Sequence, residues 1–155
     1  MTLLAALDEL TNKLTSDEKL VAWLKKYSAN KRPLQVFKSN RKVADIQDRH
    51  LPCVILELPD GEYGLRHMGG IAQDFSHQID LIFAIHASRD DFDNGFNSRV
   101  ELMDQVLPSF MLKTDRLANY VSDIKLLKFT TDSGLNFPKV FVQATVLLSG
   151  KCKRD

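Results

Sequence analysis

Hydrophobic residues at the start of the chain recur at helical spacing. Four leucines lie four, three and four residues apart and share one helical face: Leu3, Leu7, Leu10 and Leu14. This spacing predicts a helix over residues 2–14. Thr15, with Glu18 three residues later, is typical of a capping box and predicts the start of a second helix. The second helix has its own apolar positions: Leu20, Val21, Leu24 and Tyr27. A helical hairpin is therefore expected.

Three segments in the first half of the chain have the patterns of β-strands. A short strand is expected over residues 34–37, and the apolar run 52–58 is followed by an Asp-Gly turn. Within residues 75–87, six of the odd positions are apolar and several even positions are polar; the apolar ones are Phe75, Ile79, Leu81, Phe83, Ile85 and Ala87. This alternation predicts a long strand with one buried face. The glycine-rich segment 61–70 is predicted to be a surface loop between strands.

A third helix is predicted in the second half of the chain. Five apolar residues follow at helical spacing: Phe96, Val100, Met103, Leu107 and Phe110. Arg99, Glu101 and Gln105 are expected to face outward from this helix. Because the ring of Pro108 would clash with the carbonyl four residues earlier, a kink or break is expected near it.

The chain is expected to end in a β-hairpin. Strands are predicted over residues 122–130 and 138–149, and Gly134 supplies the turn between them. The order of elements is then helix, helix, strands, helix, strand, strand. This order predicts a single α+β domain over residues 1–155, with a mainly antiparallel sheet packed with two to three helices. A chain of 155 residues is long enough to bury a core without a metal.

Composition and charge exclude several classes of protein. Lys and Arg total 21 against 20 for Asp and Glu, so no net field attracts nucleic acid or an anionic membrane. The start of the chain lacks the basic region of a signal peptide, and no apolar stretch is long enough for a membrane span. Cys53 and Cys152 are the two cysteines and give no disulfide framework. A soluble protein in a reducing compartment is expected.

Two patterns suggest a metal or a general base, and both fail on spacing. Residues 91–95 resemble a calcium loop, but the glycine is fifth rather than sixth and Leu102 occupies the position of the liganding glutamate. A polar turn in which Asp93, Asn94 or Ser98 caps the next helix is the alternative. His77, Asp80 and His86 lie on one predicted strand. Because successive side chains of a strand point to opposite faces, His77 and Asp80 are expected on opposite faces.

Patterns for hydrolytic chemistry are equally incomplete. Asp60 after a proline, and the Asp-Ile-Lys sequence at residues 123–125, match the letters of a metal-dependent nuclease but lie more than sixty residues apart. No nucleophile elbow or phosphate loop is present, and Cys53 is expected to be buried as a small apolar residue. We therefore predict no enzyme activity, no catalytic residues, no metal site and no cofactor.

Four stretches of the chain resemble the tail terminator, or tail completion, proteins of long-tailed bacteriophages and prophages. They are the leucine-rich opening helices, the strand and turn from Leu51 to Leu58, the segment from Gln78 through His86 that leads to residues 99–107, and the closing turn and strand from Asp132 to Leu148. The resemblance lies in the composition and order of elements and covers most of the chain. Pro108 and the charged segment 41–50 depart from it.

The resemblance implies a structural protein that assembles without catalysis. It implies a homo-oligomeric ring, usually of six subunits, that caps the tail tube, contacts the tube protein and joins the tail to the head-tail connector proteins. Nucleic acid would be met only as DNA passing through the ring. The implied location is the host cytoplasm during assembly and then the virion tail. The predicted interface residues are Arg41, Lys42, Arg49, Tyr63, Arg66, His67, Lys151 and Arg154.

Two other functions remain open from the sequence alone. One is a metal-dependent nuclease or related enzyme, which would use the scattered carboxylates. The other is a small adaptor that binds nucleic acid through the basic residues between Lys31 and His50. Phe37 is the one phenylalanine, tyrosine or tryptophan within residues 31–50. A single ring of this kind offers little surface on which bases could stack.

Overall fold

The computed structural model describes residues 3–38, 46–58, 65–68, 72–88, 95–114, 117, 121–132 and 134–153. For residues 65–68, 72–75 and 151–153 the backbone is described without the side chains. Every structural statement below refers to these parts of the chain.

The predicted helical hairpin is present, with a different cap. Helix α1 spans Leu3–Ser16 and helix α2 spans Glu18–Tyr27. Asp17, rather than Thr15, caps α2, since its Oδ2 accepts a hydrogen bond from the Leu20 amide at 3.0 Å. The predicted capping box is wrong because α1 extends through Thr15, whose hydroxyl donates within α1 to the Thr11 carbonyl at 3.2 Å.

Six strands form one mainly antiparallel sheet. They are β1 (Gln35–Lys38), β2 (Cys53–Glu57), β3 (Leu65–Met68), β4 (Ala72–His86), β5 (Asp123–Thr131) and β6 (Lys139–Lys153). The strand order is β1-β2-β4-β6-β5, and β3 pairs with β4 outside this path. The β1–β2 pair is parallel and the other pairs are antiparallel. The predicted α+β class and the closing β5–β6 hairpin are confirmed.

The glycine-rich segment is not a loop throughout. Residues Leu65–Met68 pair antiparallel with the start of β4, with Leu65 opposite Phe75 and Met68 opposite Ala72. The glycines flank this short strand in the sequence rather than interrupt it, so the strand avoids the entropic cost of glycine in its interior. Residues 61–64 and 69–70 of the predicted loop lie outside the described residues.

The third helix contains an irregular turn where Pro108 predicts a break. Helix α3 spans Phe96–Glu101, a π-helical segment follows at Leu102–Val106, and helix α4 spans Leu107–Lys113. The Leu107 amide donates to the Leu102 carbonyl, five residues back. The proline therefore lies in the first turn of α4, where its missing amide removes no helical hydrogen bond.

The π-helical segment also changes which residues of α3 are buried. Arg99 was expected to face outward but is 7% exposed, whereas Phe96 was expected in the core and is 56% exposed. One extra residue in a turn rotates the preceding helix by about 100° relative to the following helix. The predicted face of α3 is wrong because it assumed one regular helix, while Leu107 and Phe110 after the π-turn are buried as expected.

Two hydrophobic clusters cover the two faces of the sheet. The helices pack on one face, where the buried β4 residues are Ile79, Leu81, Phe83 and Ile85. The other face is buried beneath the segment that includes Ile46 and Leu51, and its β4 residues are Ile82 and Ala84. The prediction of a half-buried strand is therefore wrong for residues 79–85, which are buried on both faces.

Candidate interaction surfaces

Four exposed hydrophobic side chains lie on two adjoining segments of the domain. Phe96 and Val100 are on α3, and Leu135 and Phe137 are in the turn between β5 and β6. Leu135 is 86% exposed. Single exposed apolar residues are ordinary in soluble proteins, but a group of them marks an interaction site. We call these four residues the α3–turn patch.

Polar contacts order the start of α3 and the turn, and an ion pair joins the two segments. The Gly95 carbonyl accepts hydrogen bonds from the Arg99 amide at 3.0 Å, the Arg99 Nε at 3.1 Å and the Ser98 hydroxyl at 2.9 Å. The Arg99 guanidinium also reaches Asp132 in the turn, with Nη1 to Oδ1 at 3.9 Å. Asp132 in turn accepts from the Asn136 side chain at 2.9 Å. The start of α3 and the turn are thus joined through Arg99 and Asp132.

Three carboxylates border the α3–turn patch. They are Glu101 at the end of α3, Asp104 in the π-helical segment and Asp132 in the turn. Glu101 pairs with Lys26 of α2 at 3.3 Å, and hydrogen bonds with Tyr27 and then with Glu101 raise the pKa of Lys26. Asp104 is exposed and makes no ion pair with a described residue. Glu101 and Asp132 are therefore paired with cations, and the carboxylate of Asp104 is left available to a partner.

A groove of about 680 Å³ lies on the other side of α2. Thr15, α2 and residues 30–34 line it, and its apolar contribution comes from Val21, Leu24, Pro33 and Leu34. We call it the α2 groove. Three cations stand at its border, Lys25, Lys31 and Arg32, and each is exposed. The groove therefore combines an apolar floor with a positive rim.

The side chain of Lys31 in the α2 groove is held by backbone carbonyls rather than by a carboxylate. Lys31 Nζ donates to the Lys25 carbonyl at 2.9 Å and to the Ser28 carbonyl at 3.3 Å. Among the described residues, no carboxylate pairs with Lys25, Lys31 or Arg32. Their positive charge is thus available to a partner with carboxylates.

The groove and helix α3 of the patch lie on different sides of α2. Trp23 lies on the α3 side of α2, since its Nε1 donates to the Ser98 carbonyl at 2.9 Å. Lys26 contacts Glu101 on that same side. Val21 and Lys25 line the groove on the opposite side of the helix. A single contact between copies of this chain could therefore use one surface from each.

The outer edge of β5 is open but protected against uncontrolled pairing. In the described part of the chain, this nine-residue strand pairs with β6 alone. Its register shifts between Leu126 and Lys128, which is the mark of a β-bulge. Lys125 and Lys128 are exposed on it. Bulges and lysines at an edge disfavour strand addition, so we place the interaction site on side chains rather than on this edge.

The structure describes four of the eight interface residues predicted from the sequence. Arg49 is exposed in the 3₁₀ turn Asp48–His50, and its carbonyl accepts from Gln35 Nε2 at 3.4 Å. Arg66 and His67 lie on β3 and Lys151 on β6, so their registers are known but their side chains are not described. The other four lie outside the described residues: Arg41, Lys42, Tyr63 and Arg154.

The register brings two of these predicted residues to one place. Arg66 of β3 and Lys151 of β6 both lie opposite Asp74 of β4, one on each side. This arrangement could not be predicted from the sequence, because the segment containing Arg66 was expected to be a loop. Arg49 lies on a separate element and does not join them in the sheet. The role of all eight residues stays a prediction.

The α3–turn patch was missed from the sequence for a physical reason. Phe96 and Val100 fit the apolar face of a regular helix, so they were assigned to the core. Leu135 and Phe137 alternate with polar residues in the turn Asp-Ser-Gly-Leu-Asn-Phe-Pro. Two large apolar residues in such a polar turn indicate an exposed contact site. This feature of the sequence could have pointed to the patch.

Within the described ranges, the residues that suggested chemistry lie apart from one another or have structural contacts. Within the described residues, no group of three or more His, Cys, Asp or Glu side chains could hold a metal. Asp80 is buried and its Oδ1 accepts from the Thr145 hydroxyl at 2.9 Å. Burial lowers the pKa of His77 below its usual value. His86 Nδ1 is buried without a hydrogen-bond partner among the described residues.

Other predicted chemical residues are on separate elements or outside the described ranges. Asp123 is exposed at the start of β5, while Asp60 of the nuclease-like pair lies outside the described residues. Asp93 and Asn94 also lie outside them, and the residue at the N-cap position of α3 is Gly95. Among the basic residues of the 31–50 region, Lys38 is paired with Asp8.

Cys53 is predicted to be unreactive in the folded protein. It is 1% exposed in β2, and burial raises the pKa of its thiol to about 11. The thiolate is the reactive form, so labelling by an aromatic disulfide reagent at pH 8 should be negligible in the native state. A Cys152→Ser variant isolates this thiol, and one equivalent should react after denaturation. Rapid labelling of the native variant would contradict the buried position.

No helix in the described ranges is both long and apolar enough to span a membrane. Comparison with known proteins finds no protein-family model that matches the chain and no curated protein of significant similarity.

Proposed function

We propose that this chain is a structural assembly protein of a phage or prophage tail. It forms a homo-oligomeric ring that caps the tail tube and joins the tail to the head connector, and it acts without catalysis. The proposal includes six subunits, contact with the tube protein, and DNA as a passenger through the ring. The chain acts in the host cytoplasm during assembly and then resides in the tail.

The α3–turn patch is the observation that carries this proposal. Phe96, Val100, Leu135 and Phe137 expose apolar surface on a support fixed by Arg99 and Asp132. A rigid exposed patch of this kind is suited to binding another protein, because little order is lost when the complex forms. The near-zero net charge also favours association of copies over repulsion between them.

Mass in solution tests the proposal first. Light scattering over a concentration series is expected to show oligomers whose mass is a fixed multiple of the monomer, and electron microscopy should show rings. If the protein is monomeric alone, purified tail tubes provide the template on which the ring is expected. A monomer at every concentration that also fails to bind tube ends would overturn the proposal.

A pair of matched variants tests the patch itself. Leu135 and Leu112 are each 86% exposed, but Leu135 is in the patch and Leu112 is in α4. Leu135→Asp is expected to raise the concentration needed for assembly by about thirtyfold, because it places a carboxylate in an apolar contact. Leu112→Asp should leave assembly unchanged. Equal effects of the two variants would remove the patch as the basis of the proposal.

A further inference from the structure

We infer that neighbouring copies join head to tail, with the α3–turn patch of one copy bound in the α2 groove of the next. The inference rests on the proposed assembly function and names the two surfaces that form its subunit contact. It concerns Leu135 and Phe137 on one side and the groove beside Leu24 and Leu34 on the other.

The two surfaces both present apolar side chains. The groove of about 680 Å³ lies within the range of pockets that enclose small molecules, so it has room for several large side chains. Leu135 and Phe137 project from a tight turn, in which Gly134 has a φ of 81°. A narrow turn can enter a groove more deeply than a flat helix face can. The projecting turn therefore supplies the side chains that the groove accepts.

Charge complementarity favours a second copy over other occupants. The groove presents Lys25, Lys31 and Arg32, and none of these is paired with a carboxylate among the described residues. Next to the patch, Glu101 and Asp132 are paired with Lys26 and Arg99, whereas Asp104 is exposed and has no ion pair among the described residues. An apolar surface with an available carboxylate thus meets an apolar surface with available cations. Complementary borders of this kind set the register and orientation of an interface.

The positions of the two surfaces determine the form of the assembly. They lie on opposite sides of α2, with Trp23 and Lys26 facing α3 and Val21 and Lys25 facing the groove. One copy therefore cannot use the same residues on both sides of the contact, as a two-fold dimer does. A contact between different surfaces repeats around the assembly and produces a closed ring or an open filament.

Charge reversal provides the test. A groove-reversed variant carries Lys25→Glu and Arg32→Glu, and a patch-reversed variant carries Glu101→Lys and Asp104→Lys. Each variant alone places like charges across every contact and is expected to lose assembly by at least tenfold in concentration. In an equimolar mixture, the acidic groove of one variant meets the basic patch of the other, while the remaining contacts are of the wild-type kind. The mixture should therefore form rings.

The composition of the mixed rings is a second readout. Native mass spectrometry is expected to show equal numbers of the two variants and an even number of subunits. The single substitutions Lys25→Glu and Asp104→Lys form a milder pair that leaves the Glu101–Lys26 contact intact. These two single variants should also assemble when they are mixed. They keep the test valid if the double variants fail to fold. Lys125→Glu with Lys128→Glu is the matched control, since it makes an equal charge change on β5 and should leave assembly unchanged.

The outcomes separate this inference from the proposed function. If the wild-type protein forms rings but the reversed variants also do so alone, the subunit contact lies elsewhere and the inference is overturned. Failure of the folded variants to assemble on mixing would overturn it as well. If the wild-type protein forms no ring even on tail tubes, the proposed function fails and the inference fails with it.

Discussion

Replacing Ile82 with alanine is expected to lower the free energy of unfolding by about 3 kcal/mol, close to the loss for Leu81→Ala. Ile82 is 3% exposed and Leu81 is fully buried, and the two lie on opposite faces of β4. Large-to-small changes in a core remove buried surface and leave a cavity, so both positions should be sensitive. Urea unfolding monitored by circular dichroism measures the two values under the same conditions.

A surface residue provides the baseline for this comparison. Leu135→Ala changes a side chain that is mostly exposed and is expected to alter stability by less than about 0.5 kcal/mol. A loss below about 1 kcal/mol for Ile82→Ala would mean that the second face of the sheet is accessible to water. That result would contradict the burial of β4 on both faces.

The second buried face depends on contacts that are distant in sequence. Ile46 and Leu51 lie over Ile82, Ala84 and Phe141 in the cluster on that face. Lys139 helps to hold the covering segment, because its Nζ donates to the Ile46 carbonyl at 2.9 Å and lies 3.8 Å from Asp48. The alternating pattern of residues 75–87 identifies a strand, but alternation does not show what lies against each face. The burial of Ile82 therefore required the three-dimensional arrangement.

Elements with a strong local pattern could be predicted from the sequence. The leucine spacing of α1 and the turn at Gly134 require no distant partner to be recognised. β4 and β6 are long apolar strands, and they form an unbroken antiparallel ladder from Ala72 to His86. In these cases hydrophobic periodicity and turn chemistry indicate the same structure as the final packing.

Elements that depend on irregular geometry or on a distant partner could not be predicted in the same way. The π-turn before Pro108 rotates α3, so Arg99 becomes buried and Phe96 exposed. The short strand β3 exists as a strand because β4 extends beside it. Asp17 and Thr15 both suit a helix cap, and the length of α1 decides between them.

The two interaction surfaces could not be predicted from local sequence patterns either. Each combines residues from separate parts of the chain, as the α2 groove does by joining Thr15 and α2 to residues 30–34. Charged residues such as Arg41 and Lys42 were predicted as interface residues, because runs of charge can be recognised without knowledge of the fold. An exposed apolar patch can be recognised once the structure shows which apolar side chains are buried and which are exposed.

Gly95 affects both the stability of the domain and the geometry of the α3–turn patch. Its φ is 78°, in the left-handed region, and a Cβ built on it would lie 2.5 Å from Val140 Cγ2. Gly95→Ala therefore meets backbone strain and overpacking together, each of about 1–3 kcal/mol. We expect a loss of about 3 kcal/mol in the free energy of unfolding. The Gly95 carbonyl also accepts three hydrogen bonds that begin α3, so the substitution should disturb the patch as well.

A double-mutant cycle with Val140→Ala separates the two causes of this loss. Shortening Val140 removes the close contact but leaves the strained φ, so Gly95→Ala should cost less in that background than in the wild type. Residues in direct contact couple by about 0.5–3 kcal/mol, and we expect about 1–2 kcal/mol here. Chemical unfolding of the four proteins gives the coupling energy. If the two losses simply add, the contact with Val140 is not what requires glycine, and the left-handed φ alone accounts for the effect.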